Sequence, residues 1–80
     1  MSMFNRFSNF PKNHILILPS DTVDLPKGPM IVYAASDGTI EVLTANGVTL
    51  EYLVVAGDII PVLVKRVKAT NTTAECYGLY

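Results

Sequence analysis

The stretch GDIIPVLVKRVKAT, residues 57–70, decides how this chain is predicted to fold. It begins with the turn-forming pair Gly57 and Asp58 and continues with Ile, Val and Leu residues as far as Val67. β-Branched residues dominate it, and they favour a pleated strand over a helix. Residues 57–70 are therefore predicted to form a long strand against which shorter strands pack.

Turn signals divide the remaining sequence into shorter strands. Asn46 and Gly47 form the strongest of them, because Asn-Gly is the preferred turn of a tight hairpin. Pro61 predicts an edge position or a bulge in the long strand, since proline has no N–H for the ladder. The spacing of the turns predicts an all-β fold, a small antiparallel sandwich or barrel of five to six strands. The shorter predicted strands span residues 14–18, 29–35, 39–45, 48–56 and 74–80.

The central hairpin shows alternating polarity. Ile40 and Val42 lie opposite Glu41 in the pattern, which predicts one solvent-facing side and one core-facing side. Leu53 and Val55 add apolar residues on the solvent-facing side. The end of the predicted strand 48–56 that carries Leu53 and Val55 is therefore predicted to be covered on both faces, by a second sheet or by another subunit.

The chain is predicted to consist of an extended N-terminal arm, residues 1–13, and a single β domain, residues 14–80. Three aromatic residues, Phe4, Phe7 and Phe10, recur at every third position of the arm. One interpretation is a partly ordered tail, which is common at chain ends. The other is an arm whose three rings dock into apolar pockets of a neighbouring subunit, because aromatic rings bury large areas at low entropic cost.

Composition favours an assembly component. Half of the 80 residues are hydrophobic and 16% are charged, against about 25% charged in a typical domain. A chain this short buries only about 60% of its unfolded surface, so apolar surface is expected to be covered by copies or by a large partner. The net charge of −1 argues against bulk attraction to nucleic acid or to an anionic membrane. No apolar run approaches the roughly 18 residues of a membrane span.

The sequence carries no constellation typical of an enzyme. The single histidine, His14, is predicted to be a surface residue at a strand end, and the single Cys76 has no partner for an intramolecular disulfide. Asp21 and Asp24 are interpreted as turn-forming residues; the alternative is a pair of ligands for Ca²⁺ or Mg²⁺. No catalytic, cofactor-binding or metal site is predicted.

One binding function remains as an alternative. Lys65, Arg66 and Lys68 form a basic cluster, and the final hairpin is expected to bring Tyr77 and Tyr80 towards it. A small β-barrel nucleic-acid-binding module combines such cations with aromatic platforms. The other interpretation of the same residues is an ordinary solvent-exposed strand end.

Two stretches resemble a known family. PSDTVDLP, residues 19–26, is similar to a PSDT-x-D-L motif, and residues 57–73 are similar to G-x-[IL]-[IL]-P-[VL]-x-V-[KR]-R-V-x-A-T-x-T-T-A. These motifs occur in small virion proteins of tailed phages and gene transfer agents, described as spike-base or head-decoration (cement) proteins. The resemblance covers residues 19–80. Asn71 stands where the family usually has glycine, and asparagine also tolerates a left-handed backbone.

The resemblance implies a non-enzymatic structural role on a capsid surface, with synthesis in the host cytoplasm and no cofactor. It implies a homo-oligomer, commonly a trimer, bound to the major capsid protein, with a head fibre or spike as a further partner. On this basis we predict two sets of interface residues. The arm anchors are Phe4, Phe7 and Phe10, and the inter-subunit face is formed by Leu53, Val55, Pro61 and Leu63.

Overall fold

The computed structural model describes residues 13–80. Their regular structure consists of six β-strands. Each matches one of the stretches predicted to be strand, with β3 beginning one residue before the predicted stretch, and the long strand is the fifth. Their bounds are β1 His14–Leu16, β2 Met30–Ala34, β3 Gly38–Thr44, β4 Thr49–Val54, β5 Ile59–Lys68 and β6 Cys76–Leu79.

All six strands pair antiparallel in one sheet, in the order β1-β6-β2-β5-β3-β4. The predicted all-β class with five to six strands is confirmed. The arrangement is a single open sheet, because β1 and β4 lie at the two ends of the order. β5 is central: its first half pairs with β2 and its second half with β3. The long strand therefore joins the two halves of the molecule.

Turn chemistry explains both connections of β4. Gly47 has a positive φ of 88°, and its N–H donates to the Thr44 carbonyl at 2.9 Å. The Asn-Gly turn is therefore where the sequence predicts it. In the next turn Gly57 has a φ of 99°, and Asp58 Oδ2 accepts the Val55 N–H at 3.0 Å. Both turns hold β4 beside β3, at the edge of the sheet.

Pro61 lies in a bulge of the central strand. Val32 pairs with Ile60, but Met30, two residues earlier, pairs with Val64, four residues later. β5 therefore carries extra residues at this point, which releases the proline from the ladder bond that it cannot make. Of the two predicted explanations for Pro61, the bulge is correct.

The hydrophobic core lies along one face of the sheet, which we call the inner face. Alternation places Ile60 and Val64 of β5 and Ile40 and Val42 of β3 on it, as predicted for β3. Burial of these side chains is complete or nearly so, which is the dominant stabilising term for a chain of this size. The other buried apolar residues are Ile17, Leu25, Met30, Val32, Ala34, Val54, Val67, Ala74 and Cys76.

The proline-framed segment closes the core beside β5. The Ser20 N–H donates to the Val67 carbonyl and the Leu25 N–H to the Lys65 carbonyl, both at 2.9 Å. These bonds satisfy the side of β5 that β2 leaves unpaired beyond Met30. Leu25 is thereby buried against the core.

Candidate interaction surface

A row of apolar and aromatic side chains crosses the outer face of the sheet. Leu16 pairs with Tyr77, Tyr77 with Tyr33, and Tyr33 with Ile59, on four adjacent strands. We call Leu16, Tyr77, Tyr33 and Ile59 the outer row. Leu16 is 48% exposed and Ile59 52% exposed, so large apolar side chains stand in solvent side by side. Exposed apolar surface that is contiguous in this way marks an interaction site.

An open pocket of about 390 Å³ lies at the centre of this surface. It is lined by His14, Tyr33, Tyr77 and Leu79. The rings of His14 and Tyr77 meet edge to face, with centroids 5.7 Å apart and planes inclined by 68°. His14 is exposed, as predicted, and its contact with Tyr77 forms one wall of the pocket. The walls are mostly aromatic and aliphatic, which suits an apolar guest.

The other half of the outer face is more polar. On β3 and β4 the outward residues include the pairs Thr39 with Leu53 and Glu41 with Glu51. A solvated sheet face normally carries such polar residues. Because the two halves of the outer face differ in polarity, the outer row is the part that is expected to be buried by a partner.

The structure places the four predicted residues of the inter-subunit face at the surface, in two separate positions. Leu53, 86% exposed, and Val55 lie at the end of β4. Pro61 and Leu63 follow Ile59 at alternate, exposed positions of β5. Leu63 lines a groove with Val48 and Leu50, among other residues, at the opposite end of β4. Leu53 and Leu63 are therefore not part of one patch. The predicted anchors Phe4, Phe7 and Phe10 lie outside the described residues.

Sequence reasoning did not identify the outer row. Tyr77 is predicted from the sequence to lie near the basic cluster, and Tyr33 is not singled out. The signal was present in β2, whose sequence MIVYA is apolar on both faces. A strand without alternation is typical of a sheet that is covered on both sides.

The basic cluster does not form a surface with Tyr77. Arg66 is engaged internally: its Nη2 lies 2.7 Å from Asp24 Oδ1, and its Nε donates to the same oxygen at 2.8 Å. Tyr77 lies level with Ile59, seven residues before Arg66 and hence roughly 20 Å away along β5. Tyr77 therefore does not provide the aromatic platform expected for the nucleic-acid alternative. The ammonium of Lys27 lies 5.5 Å from the centre of the Tyr80 ring.

Asp21 and Asp24 fasten the proline-framed segment to the end of β5. Asp21 Oδ1 accepts the Thr70 N–H at 3.0 Å and Asp21 Oδ2 accepts the Thr70 hydroxyl at 2.7 Å. These bonds, the backbone one most of all, hold the pKa of Asp21 below its ordinary value. The local turn is made by the Ser20 hydroxyl, which accepts the Thr22 N–H at 3.2 Å, and not by the side chains of Asp21 and Asp24, to which the sequence interpretation assigned it. Both carboxylates thus act in long-range structural contacts.

In the loop after β5, Asn71 occupies the position at which the family usually has glycine. Asn71 has a positive φ of 67°, which is the left-handed conformation that asparagine tolerates. The two stretches that carry the resemblance, residues 19–26 and 57–73, are thus in direct contact through Asp21 and Thr70.

Within residues 13–80 no group of three or more His, Cys, Asp or Glu side chains could hold a metal ion. No helix in the same part of the chain is long and apolar enough to span a membrane.

The similarity of this chain to known proteins comes from solved structures. Neither a family profile nor a curated protein matches the chain. Among solved structures, a chain from the capsid of a native gene transfer agent (GTA) particle, computed with C5 symmetry, matches with a TM-score of 0.79 and 33% sequence identity. The match covers 100% of both chains. The chain therefore belongs to the family of this gene transfer agent capsid component, a family of phage-like virion proteins.

Proposed function

We propose that the chain is a non-enzymatic structural protein of a tailed-phage-like virion that binds the outer surface of the head as a symmetric oligomer. It serves there either as a capsid decoration (cement) protein or as the base of a head spike. Its partners are copies of itself, in a trimer, and the major capsid protein, with a head fibre or spike as a further partner. It needs no cofactor.

The observation that carries the proposal is the full-length match to a chain of a GTA capsid. The 33% identity extends over the whole of both chains, which supports a structural role in a capsid for this chain. The side chains agree with a structural role. The His14 ring meets the Tyr77 ring edge to face, and burial raises the pKa of Cys76 to about 11. A buried thiol with a raised pKa is a poor nucleophile.

The apolar outer face supports the oligomer. Small soluble monomers rarely expose contiguous apolar surface, and such surface is covered when subunits assemble. In this chain the outer row, the groove beside Leu63 and the tip at Leu53 are exposed at the same time. One interface covers one such patch, so a shell protein with several neighbours is a better fit than an isolated domain. Symmetric closure by identical copies is the commonest way to achieve this.

Particles made without this protein provide the test. Shells are purified from a strain in which the encoding gene is deleted, and the purified 8.7 kDa protein is added back. Co-sedimentation is expected to show saturable binding at a fixed ratio to the major capsid protein. A protein that is absent from wild-type particles and does not bind the shells would contradict the proposal.

The same particles separate the two head-surface roles. A decoration protein is expected to raise the temperature at which shells release their DNA, and its loss leaves any fibres in place. A spike base is expected to leave shell stability unchanged, and its loss removes the fibres from electron micrographs. Both readouts are restored by adding back the purified protein.

A further inference from the structure

We infer that residues 1–12 of one copy bind the outer row of a neighbouring copy, with phenylalanine rings entering the pocket between His14, Tyr33, Tyr77 and Leu79. The occupant is therefore an N-terminal segment exchanged between identical subunits. The inference rests on the homo-oligomer of the proposed function and names the contact that holds it together. It does not depend on what the oligomer binds.

The spacing of the three rings fits the outer face. In a polyproline II segment every third side chain points in the same direction, with about 9.3 Å between them. Adjacent strands are about 4.8 Å apart, so alternate strands are about 9.6 Å apart. On an arm that crosses the strands, consecutive rings among Phe4, Phe7 and Phe10 would meet alternate strands, so two of the three rings fit on the outer row at once. The outer row offers apolar side chains on four adjacent strands.

The direction of the chain favours a neighbouring copy over the same copy. Asn13 exchanges both backbone hydrogen bonds with Tyr80, at 2.8 and 3.0 Å, so the chain is still in strand geometry there. Tyr33 and Tyr77 lie in the other direction, level with Leu16. An extended continuation of β1 therefore leads away from Tyr33 and Tyr77 of its own subunit.

Charge complementarity supports the same pairing. Residues 1–12 contain Arg6 and Lys12 and no acidic residue, whereas residues 13–80 contain four basic and seven acidic residues. Two of the acidic residues lie next to the outer row. Asp58 accepts the Ala34 N–H through its carbonyl, and Glu75 accepts the Ala35 N–H through its carbonyl, directly beyond Tyr33. A basic arm is attracted to this end of a neighbour.

Cysteine cross-linking in the full-length chain tests the exchange. The double variant Phe7→Cys, Ile59→Cys keeps two rings of the arm and the four residues of the pocket. After mild oxidation we expect covalent dimers and higher species on a non-reducing gel. The matched control, Phe7→Cys with Thr49→Cys on β4, is expected to stay uncross-linked. The wild-type chain controls for Cys76, whose thiol is buried.

Each result decides the question. A disulfide within one chain, seen as an oxidised monomer by mass spectrometry, shows docking onto the same copy and overturns the exchange. Equal cross-linking of the Thr49 control, or no cross-linking at all, overturns it too.

A second measurement does not depend on disulfide geometry. The variant Phe4→Ala, Phe7→Ala, Phe10→Ala is expected to lower the mass found by light scattering to that of the 8.7 kDa monomer. The variant Asn5→Ala, Ser8→Ala, Asn9→Ala keeps the rings and is expected to keep the oligomer. An unchanged oligomer without the rings overturns the inference. Shell binding of the wild-type protein tests the proposed function separately, because it is scored whether or not the arms are exchanged.

Discussion

Asp21 binds Thr70 through both carboxylate oxygens, at 3.0 Å to the backbone N–H and 2.7 Å to the hydroxyl, although the two residues are 49 positions apart. The contact joins the proline-framed segment to the end of the central strand. It explains in physical terms why two distant stretches of sequence carry one family signature: each satisfies polar groups of the other. Arg66 strengthens the junction by donating to the Asp21 carbonyl at 3.1 Å.

This junction is expected to fail in acid. Because its hydrogen bonds lower the pKa of Asp21 in the folded state, the stabilisation is fully present above the unfolded-state pKa of about 3.9. It is lost as the pH falls from there through the lower folded-state pKa. Asp21→Asn is expected to be less stable than wild type at pH 7 and to show a flatter decline below pH 4.

Urea unfolding between pH 3 and pH 7 measures both effects. The control is Glu75→Gln, which removes one exposed carboxylate that makes no side-chain hydrogen bond in the described structure. That variant is expected to keep the wild-type acid dependence. Identical acid dependence of Asp21→Asn and wild type would mean that the carboxylate contributes nothing through its charge.

Cys76 is expected to be unreactive in the folded protein. Its side chain is 1% exposed, and burial, with a smaller contribution from Glu75, raises its pKa to about 11. Only about one thiol in a thousand is then ionised at pH 8, and the thiolate is the reactive form. Labelling by iodoacetamide is expected to require unfolding and to accelerate with urea in step with the loss of structure. Fast labelling without denaturant would contradict the burial.

The same thiol sets a limit on stability in alkali. Between the unfolded-state pKa of about 8.5 and the folded-state pKa of about 11 the unfolded chain loses its proton first, so stability falls as pH rises. A shift of two units or more corresponds to roughly 3 kcal/mol. Cys76→Ala removes this term and is expected to flatten the alkaline decline. An unchanged alkaline decline in that variant would contradict the raised pKa of Cys76.

Gly38 is expected to tolerate no side chain. It has a φ of 148°, and an added Cβ would lie 2.5 Å from Thr73 Oγ1, which accepts the Thr39 N–H at 2.9 Å. Gly28 is the matched control, because its φ of 78° is also positive but nothing lies within 4 Å of the added atom. Gly28→Ala is expected to lose about 1 kcal/mol of unfolding free energy from the backbone. Gly38→Ala is expected to lose at least about 1 kcal/mol more, from the clash and the lost hydrogen bond.

Local chemistry made the strands predictable, and long-range pairing did not. Asn46 with Gly47 defines a hairpin within four residues, and alternation assigns Ile40 and Val42 to the core without knowledge of the rest. The insertion of β6 between β1 and β2 depends on contacts between the two ends of the chain, which no local pattern reports. The outer row shows the same limit. Alternation places Tyr33 and Tyr77 on some face, but only the register makes them neighbours.

The separation of Leu53 from Leu63 predicts two independent contacts. They lie level with Thr39 and Ala45, six residues apart along β3 and therefore roughly 20 Å from each other. Both are more than half exposed, so Leu53→Ser and Leu63→Ser are each expected to change the unfolding free energy by only about 0.5 kcal/mol.

If both residues lie in interfaces, each variant weakens assembly on shells or between copies by some factor. The double variant is then expected to weaken assembly by the product of the two factors, because the free-energy effects of distant sites add. Titration of shells with each variant measures the factors, and Thr49→Ala on the same strand as Leu53 is the control that is expected to bind as wild type does. A variant that binds like this control removes its residue from the interface and leaves the other residue to be judged alone.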